Sequence, residues 1–299
     1  MPAMGFYTDT TVCIGCKACQ VACHQWNDLP ADLAEQPTGP DQPGQTRPLT
    51  GMSYDNTGSL SDLNWRHVKF IEKSQASDGT LSYQPTDASR ENLQWLMMSD
   101  VCKHCVNAPC LDVCPTGAIM RTEFDSVYIQ QNVCNGCRDC VSACPFGVIH
   151  MGGPENEGKG IAKKCTLCYD RMQHSLAPAC AQACPTASIQ FGPIEELKTR
   201  AEQRVNQLHS MGMSQARLYG ADEKILGGLN AFYLLMDEPE VYGLPSNPKV
   251  PSRNVLPTNL WSFGSAILMG IAGLVSFRKR RMDSFAQGAA EQRRQEEVR

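Results

Sequence analysis

Residues 134–145 read CNGCRDCVSACP, and this stretch decides the fold that we expect of the chain. It follows the pattern C-x2-C-x2-C-x3-C-P, which in two-cluster iron–sulfur proteins gives three thiolates to one cluster and the fourth to another. Three more quartets complete the sixteen cysteines: Cys13, Cys16, Cys19 and Cys23; Cys102, Cys105, Cys110 and Cys114; and Cys165, Cys168, Cys180 and Cys184. Sixteen thiols in four such groups predict four [4Fe-4S] clusters.

Zinc and disulfide bonds are the two alternatives for so many cysteines. Structural zinc sites also use CxxC pairs, but zinc requires neither the cysteine triplets nor the closing C-x3-C-P. Disulfide frameworks are typical of small secreted domains that lack a core. A chain of 299 residues with 42% hydrophobic content is large enough to bury an ordinary core. Both alternatives therefore explain the pattern less well than clusters do.

The first quartet differs from the others, because His24 stands where a proline follows the last cysteine of each other quartet. Histidine can replace cysteine as a ligand of iron. This quartet already has four thiols, however. We therefore interpret His24 as a residue that packs beside a cluster rather than as a ligand.

Short apolar stretches beside the quartets predict strands. Residues 65–72 alternate apolar and polar side chains, which is typical of a half-buried strand. Residues 118–120 and 127–129 flank a turn and predict a hairpin, and 148–151 and 188–191 follow the third and fourth quartets in a similar way. We therefore expect an α+β fold with two ferredoxin-like double-cluster units. Spacing alone leaves open which quartets pair.

The composition divides the chain into further segments. Residues 1–192 are predicted to form the four-cluster domain, with a surface excursion over 27–100 whose beginning is rich in Pro, Gly and Asp. Residues 193–253 are predicted to form a helical capping segment, in which 218–245 lies across the domain. A helix begins near Pro193 and ends near Gly212. One apolar face of this helix carries Ile194, Leu197, Ala201, Val205 and Leu208.

Residues 254–277 carry no charge and are followed at once by RKRR at 278–281. At about 1.5 Å of rise per residue, roughly 20 residues cross the hydrocarbon core of a bilayer. We predict a single transmembrane helix over 254–277 and a basic cytoplasmic tail over 278–299, because positive residues favour the cytoplasmic side. A buried helix of a soluble protein is the alternative, but such a helix seldom ends in four successive cations.

Charge and the N-terminal sequence limit the partners and the location. The formal net charge of −4 argues against a nucleic-acid partner. Residues 1–13 show neither a basic region nor an apolar region of an export signal. The chain is therefore expected either to stay in the cytoplasm or to be exported together with a partner.

Several longer motifs resemble one family. Residues 101–119 read VCKHCVNAPCLDVCPTGAI, 121–124 read RTEF, 133–149 read VCNGCRDCVSACPFGVI, 164–171 read KCTLCYDR and 178–192 read PACAQACPTASIQFG. Together they resemble the iron–sulfur β subunit of membrane-bound formate dehydrogenase. That family also has a single C-terminal membrane helix.

The resemblance implies a nested pairing of the quartets, first with fourth and second with third. Each cluster is then bound by three thiols of one quartet and by one thiol of the quartet with which it is paired. The implied sets are Cys13, Cys16, Cys19 and Cys184 for cluster 1; Cys23, Cys165, Cys168 and Cys180 for cluster 2; Cys102, Cys105, Cys110 and Cys144 for cluster 3; and Cys114, Cys134, Cys137 and Cys140 for cluster 4. Cationic side chains beside these ligands can raise a cluster's potential, although ordinary surface pairing explains them equally well. These cations are Lys103, Arg138, Lys163, Lys164 and Arg171.

The function that the resemblance implies is an electron relay without substrate chemistry on this chain. Electrons would pass from a catalytic subunit with a molybdenum or tungsten bis-pterin cofactor to a membrane cytochrome b (gamma) subunit that reduces quinone. The cluster domain would lie outside the cytoplasm, on the periplasmic side of the inner membrane, and the C-terminus inside. The alternatives are the same relay in a hydrogenase, a polysulfide reductase or a dimethyl sulfoxide reductase, and a soluble scaffold or redox sensor.

Overall fold

A computed structural model describes residues 1–30, 54–75, 81–82, 93–152 and 160–297. The chain divides into two compact units, Met1–Val250 and Pro251–Arg299. The strands are β1 (Met4–Asp9), β2 (Arg66–Gln75), β3 (Leu81–Ser82), β4 (Leu93–Val101), β5 (Ile119–Arg121), β6 (Val127–Ile129), β7 (His150–Gly152), β8 (Ile161–Lys163), β9 (Ile189–Pro193), β10 (Arg217–Tyr219) and β11 (Ala231–Leu235). The α-helices are α1 (Ala18–Trp26), α2 (Pro109–Asp112), α3 (Asp139–Ala143), α4 (Tyr169–Gln173), α5 (Ala179–Gln182), α6 (Ile194–Ser210) and α7 (Val255–Glu297).

A four-stranded sheet forms the core of the first unit, in the order β10-β11-β1-β9. Strand β1 runs parallel to β11 and antiparallel to β9, with Phe6 opposite both Ala231 and Phe191. Every residue of β11 is buried, because the sequence AFYLL is apolar apart from the Tyr233 hydroxyl, which accepts a hydrogen bond from Lys103. The sheet thus joins the two ends of this unit's sequence.

Strands β2 and β4 form a long antiparallel pair, from Arg66 opposite Val101 to Ser74 opposite Leu93. Val68 and Met98 lie on opposite faces of this pair, and both are almost completely buried. The predicted strand over 65–72 is therefore present. The described part of the predicted excursion over 27–100 belongs largely to the core, and its residues 31–53 lie outside the described residues.

Two short hairpins stand beside the cysteine quartets. Strands β5 and β6 pair antiparallel, which confirms the hairpin predicted at 118–120 and 127–129. Strand β7 pairs with β8 in the same way. Strand β9, which covers most of the stretch 188–191, pairs instead with β1 of the central sheet. Strand β1 was not predicted from the sequence.

Helix α6 has the predicted apolar face, with Ile194, Leu197, Ala201 and Leu208 buried. The rest of the predicted capping segment differs from the expectation. Strands β10 and β11 both belong to the central sheet, and Met1–Val250 is a single compact unit. The residues after α6 are therefore part of the core and not a cap laid over it.

The second unit consists of a short 3₁₀ turn, Pro251–Asn254, followed by the 43-residue helix α7. By length and composition, Asn259–Ala290 is long and apolar enough to cross a membrane. The helix continues through the RKRR cluster instead of ending at residue 277, so the predicted tail is helical as far as Glu297. One candidate membrane helix at the C-terminus fits a single-pass anchor.

Candidate metal centres

The structure brings cysteines from different quartets together around small cavities. Three small cavities are each lined by four cysteines. The lining sets are Cys13, Cys16, Cys19 and Cys184, here called site 1; Cys102, Cys105, Cys110 and Cys144, site 3; and Cys114, Cys134, Cys137 and Cys140, site 4. The identical donor sets point to one kind of occupant.

A fourth group, here called site 2, consists of Cys23, Cys165, Cys168 and Cys180. Burial raises the pKa of Cys23, and the neighbouring Cys165, Cys180 and Cys168 raise it further. All four residues are buried. Each of the four sites thus contains three cysteines from one quartet and the last cysteine of another.

The packing of short helices produces this exchange between quartets. Helix α1 carries Cys19 and Cys23 and packs against α5, which carries Cys180. Helix α2 carries Cys110 and packs against α3, which carries Cys140. A short helix after each cysteine loop turns the last cysteine of its quartet toward the neighbouring site. The first quartet therefore lies beside the fourth, and the second beside the third.

Cysteines of sites 1 and 2, of sites 2 and 3, and of sites 3 and 4 lie within electrostatic range of each other. Desolvation is the main cause of a raised pKa at each of three cysteines, but a thiolate of the next site contributes as well. Cys180 of site 2 acts on the pKa of Cys19 at site 1, and Cys102 of site 3 acts on that of Cys165 at site 2. Cys140 of site 4 similarly raises the pKa of Cys110 at site 3. The row therefore runs continuously from the first site to the last.

The inner and outer sites differ in their contact with solvent. At sites 2 and 3 the cysteines are buried, apart from Cys144, which is half-buried. At each outer site one thiol is exposed, Cys16 at site 1 and Cys137 at site 4. The row therefore begins at one part of the protein surface and ends at another.

Burial also determines whether the cysteine thiols are protonated before iron binds. It raises the pKa of Cys165 and that of Cys110 to about 12. A free thiol at these positions therefore keeps its proton at neutral pH. Because iron binds the thiolate, loading these sites must release protons, and the gain from metal binding is coupled to folding.

The backbone around the cysteines suits an anionic occupant. Gly15 and Lys17 at site 1, and Gly136 and Arg138 at site 4, adopt positive φ angles between 59° and 74°. His104 at site 3 does the same, with φ 44°. Alternation between right- and left-handed backbone directs successive N–H groups into a concavity, an arrangement found at many iron–sulfur sites. The cysteine loops thus supply hydrogen-bond donors as well as thiolates.

Three buried cations near the sites, Arg66, Lys164 and Arg171, have no carboxylate partner in the described ranges. Arg66 is 1% exposed, and its Nε and Nη2 groups have no hydrogen-bond partner among the described residues. Lys164 is 3% exposed, and within the described part of the chain it donates to the carbonyl oxygens of Val127 and Cys165. An unpaired buried charge is very costly. Anionic clusters in the neighbouring sites provide the missing negative charge, so the residues present fit [4Fe-4S] groups.

His104 adds a neutral donor to the same region. Burial holds its pKa well below the usual range, and the backbone N–H of Val127 donates to Nδ1 over 3.1 Å. The ring proton therefore lies on Nε2, which has no hydrogen-bond partner among the described residues. His104 lines site 3, where a sulfur of a cluster is a suitable acceptor.

The five cations predicted from the sequence have different surroundings. Lys103 lines site 3 but forms a buried ion pair with Asp100 and bonds Tyr233, so its charge is already balanced. Arg171 donates to Ala177 O and lies 4.2 Å from the centre of the Trp26 ring. Two others are at least partly exposed, Arg138 and Lys163. Lys164 and Arg171 are thus the members of this set that are buried without a carboxylate partner among the described residues.

His24, interpreted from the sequence as a packing residue, has a hydrogen-bond partner in the backbone. Its Nε2 lies 2.9 Å from the carbonyl oxygen of Pro30, to which it donates. Arg66 and Ser99, in contrast, were not identified from the sequence. Arg66 lies on strand β2, far from the cysteine motifs in sequence, and Ser99 lies near the end of strand β4, shortly before Cys102. The only signal in the sequence was that Arg66, a cation, lies in a predicted strand whose apolar and polar side chains otherwise alternate.

The alternatives of zinc and disulfides find no support in this geometry. All sixteen cysteines are free thiols. In the described part of the chain, no group of three or more His, Cys, Asp or Glu side chains is arranged to hold a single metal ion. A zinc ion needs its sulfurs about 2.3 Å away, whereas a cube of iron and sulfide holds four thiolates farther apart.

Comparisons with known proteins agree with the cysteine geometry. Two family models described as 4Fe-4S dicluster domains match residues 93–194 and 12–118. The chain is 36% identical over 266 residues to the formate dehydrogenase iron-sulfur subunit of Haemophilus influenzae, covering 88% of this chain and 75% of that protein. The chain thus carries four [4Fe-4S] clusters, two for each dicluster domain.

Two proteins of Escherichia coli give further comparisons. The iron-sulfur subunit of its nitrate-inducible formate dehydrogenase is 35% identical over 272 residues, which is 90% of this chain and 79% of the relative. The B subunit of its anaerobic dimethyl sulfoxide reductase is 31% identical over 196 residues, or 66% of this chain and 76% of the relative. The match to the formate dehydrogenase subunit extends over a larger part of the chain.

Proposed function

Because the protein belongs to the family of formate dehydrogenase iron-sulfur subunits, we propose that it conducts electrons from formate oxidation on a partner subunit to the membrane. It is an electron-transfer subunit of an oxidoreductase complex and performs no substrate chemistry itself. The observation that carries the proposal is the continuous row of four cysteine sites, which reaches the surface at Cys16 and at Cys137.

In this proposal, sites 1 to 4 each hold one [4Fe-4S] cluster through their four cysteines. The clusters supply reversible one-electron chemistry. The protein's own groups supply the rest: thiolates hold each group, loop N–H groups and buried cations offset its negative charge, and the apolar core excludes water from the two inner sites. The grouping of the thiols and the unpaired charges of Arg66 and Lys164 support this assignment.

The two ends of the row define where partners bind. One exposed end faces a catalytic subunit with a molybdenum or tungsten bis-pterin cofactor, and the other faces a membrane cytochrome b (gamma) subunit. The uncharged part of the candidate helix Asn259–Ala290, which ends before Arg278, anchors the chain in the inner membrane. The cluster domain lies on the periplasmic side, because the cations at 278–281 favour a cytoplasmic location for the C-terminus.

Purification of the complex under anaerobic conditions tests this function. We expect formate to bleach the visible absorbance of the iron–sulfur clusters, and we expect iron together with molybdenum or tungsten in the purified complex. A complex that contains all clusters but is not reduced by formate would contradict the formate assignment. Polypeptide with zinc instead of iron would contradict the relay itself.

Protease treatment of intact spheroplasts tests the orientation. Cleavage within residues 1–250 with protection of the C-terminal tail is the expected result. Protection of the cluster domain while the tail is cut would place this domain in the cytoplasm and refute the proposed side.

A relay in a dimethyl sulfoxide reductase is the second candidate, because 66% of this chain also matches the B subunit of such an enzyme. The two functions differ in the direction of electron flow. Reoxidation of the reduced clusters by dimethyl sulfoxide, without reduction by formate, would favour this second function.

A further inference from the structure

Arg66 occupies an unusual position for a fully charged side chain. It begins strand β2, and its side chain is buried between the core and the cysteine sites. Its Nη1 donates to Ser99 Oγ over 2.9 Å, and the guanidinium carbon lies 4.9 Å from the centre of the Phe6 ring. Among the described residues no carboxylate pairs with it, and two of its nitrogens lack any partner. A guanidinium in this environment requires a negative charge from elsewhere.

The groups that surround Arg66 belong to two different sites. A guanidinium is not deprotonated in proteins, and Cys180, Cys19 and Cys165 lie within electrostatic range of Arg66. Cys19 belongs to site 1, whereas Cys165 and Cys180 belong to site 2. Arg66 therefore stays charged and lies within electrostatic range of both sites.

Ser99 connects Arg66 directly to one ligand. Its Oγ lies 3.2 Å from the Sγ atom of Cys19. A ligating thiolate has no proton to donate, and the Ser99 oxygen already accepts from Arg66. The Ser99 hydroxyl proton must therefore point at the sulfur, which gives a hydrogen-bond chain from Arg66 through Ser99 to Cys19.

We propose that Arg66 jointly sets the reduction potentials of sites 1 and 2, through its charge at both sites and through the Ser99 hydrogen bond at site 1. Each reduction adds one electron and no proton, so the charge beside Arg66 becomes more negative by one unit. A cation with little water around it favours that reduced state. Hydrogen bonds to cluster sulfurs act in the same direction. The inference rests on the cysteine sets proposed for the four sites.

Arg66→Gln tests this role in the full chain within its complex. Redox titration followed by electron paramagnetic resonance measures each cluster's potential. Cys16→Ser identifies the signal of site 1, and the fraction of Cys168→Ser protein that still folds identifies the signal of site 2. We expect the reduced-to-oxidised ratio at both sites to fall about tenfold at a fixed ambient potential, which corresponds to about 59 mV for one electron. Sites 3 and 4 should keep their potentials. Arg217→Gln, which removes a cation at the surface, is the matched control and should shift none of the four signals.

Two further variants separate charge from hydrogen bonding. Arg66→Lys keeps the charge, so we expect a smaller shift than with glutamine at both sites. Ser99→Ala removes the hydrogen bond to Cys19, so we expect the larger shift at site 1. If Arg66→Gln fails to assemble, these two variants carry the test, with the iron content as the check on assembly.

Three results would overturn the inference. One is an Arg66→Gln protein with full iron content and unchanged potentials. The second is an equal shift at all four sites, which would indicate a general structural change. The third is Arg66→Lys and Ser99→Ala proteins with full iron content and unshifted signals. None of these results would affect the proposed function, whereas absence of the four signals from the unaltered protein would contradict that function instead.

Discussion

The inner sites, 2 and 3, and the outer sites, 1 and 4, contain the same number of thiols but differ in their surroundings. Inner cysteines are almost all buried, Lys164 lies next to them, and Arg66 lies between inner site 2 and outer site 1. Outer sites each expose one thiol, Cys16 or Cys137. Electron exchange with partners requires access, whereas passage through the protein requires insulation. The same cysteine motif serves both needs because burial differs.

This difference has an energetic consequence. An inner site without its cluster leaves positive charges and polar groups in the core without a partner, and this is strongly destabilising. An outer site without its cluster is partly solvated, and water can satisfy the exposed groups. We therefore expect loss of an inner cluster to affect the whole domain and loss of an outer cluster to remain local.

The largest effect is expected from removing one ligand at each kind of site. Cys165→Ser should remove the site 2 cluster and strongly reduce the amount of folded protein, because Arg66 and Lys164 lose their counter-charge. Cys137→Ser should reduce the iron content by at most about a quarter, since one of four equal clusters is affected, and leave the domain resistant to protease. Iron analysis and limited proteolysis measure both. Equal damage from the two substitutions would contradict the distinction between inner and outer sites.

Buried and exposed ion pairs offer a second comparison. Asp100 is 5% exposed, pairs with Lys103 and lies 2.9 Å from Lys69. Asp100→Asn should destabilise the domain by about 3–5 kcal/mol, because Lys103 is left charged in the core beside site 3. Glu238→Gln breaks the surface pair with Arg217 and should cost less than about 1 kcal/mol.

Thermal loss of the cluster absorbance measures the stability of both proteins. A much lower midpoint temperature for Asp100→Asn and nearly unchanged behaviour for Glu238→Gln are the expected results. Similar midpoints would show that the charge of Lys103 is balanced by something other than Asp100.

Chemical attack should distinguish the sites without any mutation. Because Cys16 and Cys137 are exposed, oxygen or ferricyanide should destroy the clusters of sites 1 and 4 several-fold faster than those of sites 2 and 3. A time course of the resonance signals during exposure measures the order of loss. If an inner signal disappeared first, the inferred insulation of the inner sites would be wrong.

The smallest effect is expected from a glycine at the edge of the sites. Gly15 and Gly117 have nearly equal φ angles, 65° and 68°, but an added Cβ at Gly15 meets Phe70 at 2.6 Å and one at Gly117 meets nothing within 4 Å. Gly117→Ala should therefore cost only the backbone strain, about 1–2 kcal/mol. Gly15→Ala should in addition disturb site 1, visible as a changed line shape of that signal alone. Equal effects of the two substitutions would mean that the Phe70 side chain can move away from the added Cβ without a loss of stability.

Local secondary structure could be predicted from the sequence because it depends on residues that are neighbours in the chain. The hairpin of β5 and β6 and the apolar face of α6 were predicted correctly from alternation and helical period. Strands β1 and β11 were missed, since they pair across more than 220 residues and neither carries a signal of its partner. The expected cap over 193–253 is part of the core for the same reason: pairing between distant strands is decided by packing.

The sequence by itself determined the chemistry of this protein, since the spacing of sixteen cysteines is sufficient to predict four clusters and an uncharged stretch before RKRR is sufficient to predict a membrane helix. Only the tertiary structure decided which thiols meet, which sites are insulated, and that Arg66 lies between two of them. A ligand's identity is a property of one residue and its near neighbours. Burial and electrostatic environment depend on every element that packs around that residue, so they exist only once the chain has folded.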